Sequence, residues 1–127
     1  MSHTKIQTGK APAAVGPYSQ AIGVGEMVFC SGQVGIDPTT GKFAGEDVPT
    51  QTRQVFANIK AVLAAAGTDL DHVVKTTVFL ADMADFSAMN LVYASFFGEI
   101  PPARSTVAVK DLPLAALVEI EVIAVKS

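Results

Sequence analysis

The chain has one cysteine, Cys30, which rules out a disulfide framework and a thiolate metal site. Its two histidines, His3 and His72, lie far apart, and neither has a companion at metal-ligand spacing, so no metal is expected. Charge is also scarce, at 17% of residues, where an average domain has about 25%. Nine Lys plus Arg face twelve Asp plus Glu, a net charge of −3, and the basic residues are scattered. A nucleic-acid binder needs a concentrated basic footprint, so no nucleic-acid partner is expected. No run approaches the roughly 18 apolar residues of a membrane span. The stretch from Met1 to Lys10 has neither the apolar core of a signal peptide nor the Arg-rich pattern of a transit peptide. The expectation is a soluble protein of the reducing cytoplasm, without a membrane partner.

Apolar residues, by contrast, are abundant. Half of the 127 residues are hydrophobic, and a single domain of this length, residues 1–127, buries about two-thirds of its unfolded surface. The surplus of apolar surface predicts a homo-oligomer. Ala21 to Val24 and Met27 to Ser31 are short apolar runs joined by Gly25-Glu26, the signature of a hairpin. Ser31-Gly32-Gln33 leads through Val34-Gly35-Ile36 into a turn-rich loop, Asp37 to Lys42. Val55, Ile59, Val62, Leu63 and Ala66 recur at helical spacing, with Asp47 or Thr50 as cap and Gly67 just past the end. Gln51, Arg53, Gln54, Asn58 and Lys60 are expected mostly on the other faces of that helix. Val74 to Ala81 alternates as a strand. Asp82 or Asp85 caps a second helix with a stripe of Phe86, Met89, Tyr93 and Phe96 or Phe97, closed by Gly98 and Pro101. Strands near Ala103–Val109 and Leu117–Val125 complete the chain. This order predicts an α+β fold with two helices on one face of a mixed sheet.

Two strands carry charge where a core strand should not. Arg104 follows a helix-blocking double proline and enters alternating valines, and a guanidinium cannot shed its proton. Burying it requires an anionic partner or a wet cleft. Glu119 and Glu121 share one face of the apolar run Val118 to Val125. One fixed cation and two acids in core-like strands predict a polar cleft.

Three further segments combine glycine and small polar residues with apolar runs: Gly16 to Ala21 (GPYSQA), Ser31-Gly32-Gln33 and Val74 to Leu80 (VKTTVFL). With Pro102 to Ser105 (PARS) and Glu119 to Val125 (EIEVIAV), they closely resemble the Rid family, also called YjgF. The resemblance runs from about Ala11 to Lys126, and the Arg and Glu positions look like those of its RidA branch of enamine/imine deaminases. It implies a chorismate-mutase-like (YjgF) fold with a six-stranded sheet, in a homotrimer whose sheets form a central barrel with ligand clefts between subunits. It also implies substrates: 2-aminoacrylate, 2-iminopropanoate and 2-iminobutanoate, released by pyridoxal-phosphate enzymes and hydrolysed to 2-keto acids and ammonia without a cofactor.

The residues suit that chemistry. The planar fork of Arg104 can grip a carboxylate with two parallel hydrogen bonds. Glu119 is the candidate acid–base for adding water to the C=N carbon, with a pKa raised by desolvation and drawn back by Arg104. By resemblance Tyr18 lines the cleft as a third catalytic candidate. Ser31, Gly32 and Asn90 complete the substrate-binding set with Thr106, where many relatives carry Cys. Structural alternatives stand beside these roles. Arg104 pairs with Glu119 or Glu121 to stitch an interface, Glu121 is a spectator bound to Lys75, Tyr18 caps the barrel, and Ser31 bonds to backbone. A competing function is a non-catalytic module that binds small keto acids or amino acids. A ribonuclease, an activity attributed to some family members, is disfavoured by the acidic balance.

Overall fold

The computed structural model describes residues 2–127. In chain order the elements are β1 (Thr4–Ile6), β2 (Ala21–Val24), β3 (Met27–Cys30), β4 (Gln33–Val34), β5 (Ile36–Asp37), β6 (Lys42–Phe43), α1 (Val48–Ala65), β7 (Val73–Leu80), α2 (Phe86–Ala94), β8 (Ala103–Ala108) and β9 (Val118–Val125). The main sheet runs β1-β2-β3-β9-β7-β8, six strands in a path, with the two-residue β4 adding a seventh beside β9. β7 and β8 pair in parallel, and the other pairings are antiparallel, so the sheet is mixed. β1 and the small β5–β6 hairpin lack a strand-like sequence pattern. Each is two or three residues long and rests on pairing rather than on periodicity.

Local chemistry explains the main elements. Gly25, at φ 56, takes the first central position of the two-residue turn between β2 and β3, which a side chain would disfavour. Asp47 caps α1 by accepting from the Thr50 N–H at 2.8 Å. The helix ends in a Schellman turn. Thr68 N–H donates to Leu63 O, Gly67 N–H donates to Ala64 O, and Gly67 adopts φ 80. α2 stops at Ala94, short of the Gly98 and Pro101 boundary expected from sequence.

Both helices cover one face of the sheet. Val55, Phe56, Ile59, Val62 and Leu63 of α1 pack with Met89 and Tyr93 of α2 over Val78, Leu80, Val118, Ile120, Val122 and Ala124. Phe56 lies at the centre, stacked on Phe96 at 4.5 Å and edge-on to Tyr93 and Phe97. One expectation is corrected here: Gln51 and Asn58 do not lie on an outer face of α1 but are buried. Asn58 donates to Val34 O and Ile36 O, and Gln51 bridges Gly45 O and the Leu117 N–H. Asn58 thus satisfies carbonyls of the short strands β4 and β5, and Gln51 satisfies backbone of the loop after β6 and of the entry to β9.

The other face of the sheet has no helix. Strand alternation places Phe29, Phe79, Val107 and Ile123 there, together with Glu119 and Glu121. Phe29 and Val107 are each 43% exposed.

Candidate active site in two halves

Arg104 pairs with Thr76 in the parallel register of β7 and β8. Thr76 is fully buried beneath α2, so Arg104 also points to the helix side. Residues 86, 90 and 93 of α2 stand at i, i+4 and i+7 and form its cradle. Arg104 Nη1 donates to Asn90 Oδ1 at 2.7 Å. The guanidinium carbon lies 4.6 Å from the centre of the Tyr93 ring and 5.5 Å from that of Phe86. Tyr93 is itself pinned, its hydroxyl 2.7 Å from Thr76 Oγ1. Burial raises the Tyr93 phenol pKa, while the Thr76 hydrogen bond and the Arg104 charge act against it. The arrangement holds the fork by one nitrogen, and Arg104 lines a cavity of about 450 Å³ with Asn90, Tyr93, Phe97 and Pro102.

Glu119 pairs with Phe79 and Val34 on the opposite, helix-free face. It lines a second cavity, of about 380 Å³, with Tyr18, Gly32, Val34, Ile36 and Leu114. Its carboxyl is held above the usual carboxylate range, first by burial and then by repulsion from Glu121 two residues along the same face. Gly32 is there because the carboxylate lies against its Cα. A Cβ at residue 32 would sit 2.8 Å from Glu119 Cδ and closer still to Oε2.

Within one chain this geometry keeps Arg104 apart from both acids, and it corrects one expectation, the Lys75–Glu121 pair. Arg104 does not moderate the Glu119 pKa within the chain, since the two side chains leave opposite faces of one sheet. For the same reason neither Glu119 nor Glu121 pairs with Arg104 inside the chain. The ion pair found among the described residues joins His72 to Asp69 at the surface. Lys75 likewise does not hold Glu121 and instead donates to Thr76 O.

The remaining candidates divide between the halves. Tyr18 is 51% exposed and borders the Glu119 cavity. Ser31 donates its hydroxyl hydrogen to Ser19 O at 2.6 Å, so it ties the Tyr18 segment to the end of β3. Asn90 orients Arg104. Thr106 follows Arg104 on the same strand face, and its Oγ1 is buried without a hydrogen-bond partner. Cys30 is a partly buried thiol packed against the core, and desolvation pushes its pKa up to about 12, away from the thiolate form. Asp82 caps the turn before α2 through Ala84 N–H. Sequence reasoning treated Phe86 and Tyr93 as core only, yet they carry the guanidinium. Their i, i+7 spacing around Asn90 was the available signal. Among the described residues no three His, Cys, Asp or Glu side chains gather to hold a metal ion, and no helix is long and apolar enough to cross a membrane.

Comparison with known proteins places this geometry. A family model described as Endoribonuclease L-PSP matches residues 8–126. The chain is 54% identical over 119 residues to Reactive Intermediate Deaminase A, chloroplastic, of Arabidopsis thaliana, covering 94% of this chain and 64% of that one. It is 48% identical over 121 residues to the 2-iminobutanoate/2-iminopropanoate deaminase of Mus musculus, covering 95% and 90%. The crystal structure of E. coli TdcF with bound serine superposes with a TM-score of 0.93 at 43% identity, over 98% of this chain and 99% of that one. With its fold, its motifs and nearly its whole length matched, the chain belongs to the Endoribonuclease L-PSP family, the Rid family.

Proposed function

We propose that this chain hydrolyses the C=N bond of small 2-imino acids, giving a 2-keto acid and ammonium, in clefts that two copies build together. The observation that carries the reading is the division of the site. A guanidinium oriented by Asn90, Tyr93 and Phe86 opens on one face of the sheet, and a carboxyl with raised proton affinity opens on the other. One protomer cannot bring them to one substrate, whereas an adjacent copy can. The exposed apolar side chains of the helix-free face give the copies a reason to associate. A homotrimer closed around a central barrel is the assembly we infer. The deaminase name of the mouse relative supports the reaction, and the serine bound to TdcF supports a ligand with an amino-acid carboxylate.

Arg104 holds the substrate carboxylate through two parallel hydrogen bonds. Water adds to C2 of the protonated imine as Glu119 accepts its proton, forming a C–O bond and moving the C=N π electrons onto nitrogen. Glu119 then returns that proton to the nitrogen. As C–N breaks, the new hydroxyl gives its proton to the Glu119 carboxylate, which passes it to the departing ammonia as the C=O forms, so iminium plus water becomes keto acid plus ammonium. A positioned acid–base supplies about 10²–10⁴-fold, and holding water against C2 adds to it. Tyr18 borders the Glu119 cavity, and on this reading its hydroxyl orients that water.

The test generates imines with a serine or threonine dehydratase and traps with semicarbazide whatever this protein leaves. Native protein should suppress semicarbazone formation. Glu119→Gln should lose about 10²–10⁴-fold in turnover while still binding 2-ketobutyrate in calorimetry. Binding by the native protein with no hydrolysis would leave a carboxylate-binding module instead.

A further inference from the structure

Leu114 and Ala115 both adopt the left-handed backbone conformation, at φ 57 and 59, where residues other than glycine are strained. Such conformers persist only where their surroundings over-determine them, and they gather at ligand sites. Here both ends of the segment are held. Ala115 N–H donates to Leu112 O at 3.2 Å, Ala116 N–H donates to Pro113 O at 3.0 Å, and Ala116 is buried. The Leu117 N–H donates to Oε1 of the buried Gln51 at 3.0 Å, and Gln51 Nε2 is tied to Gly45 O. The strained turn leaves the Leu114 side chain 71% exposed, so the core does not account for it. That side chain borders the Glu119 cavity, as does Val15, which is 90% exposed. Ile36 and Pro38 continue the same lining, and Glu119 is its one ionisable carboxyl.

A 2-imino acid has three parts to accommodate. On the reading above, Arg104 of an adjacent copy takes the carboxylate and Glu119 faces C2, which leaves the substituent on C2. We propose that Leu114, with Val15, receives that substituent and makes the enzyme selective for 2-imino acids with aliphatic side chains over polar ones of the same shape. This inference rests on the deaminase reading and adds its specificity determinant. Apolar walls around a few fixed polar groups are the usual construction of such a pocket.

The experiment uses an amino-acid oxidase to generate imines from leucine and from its near-isostere asparagine, with semicarbazide as the trap. Native protein should favour the leucine-derived imine at least about tenfold in kcat/KM, and Leu114→Gly should cut that ratio by about tenfold. Glycine relieves the backbone strain, so the variant should fold at least as well. Val15→Ser should move the ratio in the same direction. An unchanged ratio in both variants overturns the proposal, as does a Leu114→Gly protein that falls to monomers, since Leu114 would then be a contact between copies. Native protein inactive on every imine removes the deaminase reading and this inference together. Active native protein with an unaltered ratio removes the inference alone.

Discussion

Arg104→Lys keeps the charge on β8 and removes the fork, which isolates geometry from electrostatics. The guanidinium has five N–H donors, and one is committed to Asn90 at 2.7 Å. Enough remain for a two-point grip on a carboxylate. A lysine in the same place has three donors on a flexible stem, and with Asn90 still accepting it offers the carboxylate a single point. The loss is one charge-assisted hydrogen bond, about 1.5–3 kcal/mol, and part of the stacking on Tyr93 and Phe86, about 0.5–1 kcal/mol. Together these come to about 2–4 kcal/mol, or roughly 30- to 700-fold in kcat/KM. The substrate carboxylate is unchanged through the reaction, so the lost interaction is the same in ground and transition states. The effect should therefore appear in KM with kcat largely retained. The semicarbazide-trap assay over a range of imine concentrations separates the two constants, with light scattering to verify that the assembly survives. A variant within about threefold of native, far inside the loss of a charge-assisted bond, would refute the reasoning. So would a loss confined to kcat.

Two other substitutions test the remaining geometry. Glu121→Gln removes the repulsion that is the second cause of the raised Glu119 pKa. The Glu119 pKa should fall, a larger fraction should be ionised at a given acidic pH, and the acid limb of the kcat/KM profile should move to lower pH. An unmoved limb would detach Glu121 from the site. Thr106→Val replaces a buried hydroxyl that has no partner, and the native protein should gain about 1 kcal/mol of stability from the change, read as a higher Tm by calorimetry. A lower Tm would show that the hydroxyl is hydrogen-bonded in the assembled protein.

The elements were legible because their signals are local. The alternation of Val74 to Ala81 became β7, the stripe from Val55 to Leu63 became α1, and Gly25 and Gly67 stand where their positive φ is needed. β1 and the β5–β6 hairpin were not legible, since two or three residues cannot establish a period and are held by pairing partners distant in sequence. Gln51 and Asn58 were misplaced for a related reason. Polar residues on a helix default to solvent unless irregular backbone nearby needs their amides, and that backbone belongs to β4, β5 and the entry to β9.

By itself the sequence determined that a permanent cation and two acids interrupt strands of a core, and so that the fold contains a polar site. A guanidinium stays charged in any environment, and two carboxylates two residues apart share a face in any strand. Only the tertiary structure decided which face each occupies. Alternation within β8 and within β9 is readable, but the phase of one strand against the other is set by register with β7 and by the side on which α1 and α2 pack. That phase sends Arg104 to the helices and Glu119 away from them, because Thr76 and Phe79, their partners on β7, are an odd number of residues apart.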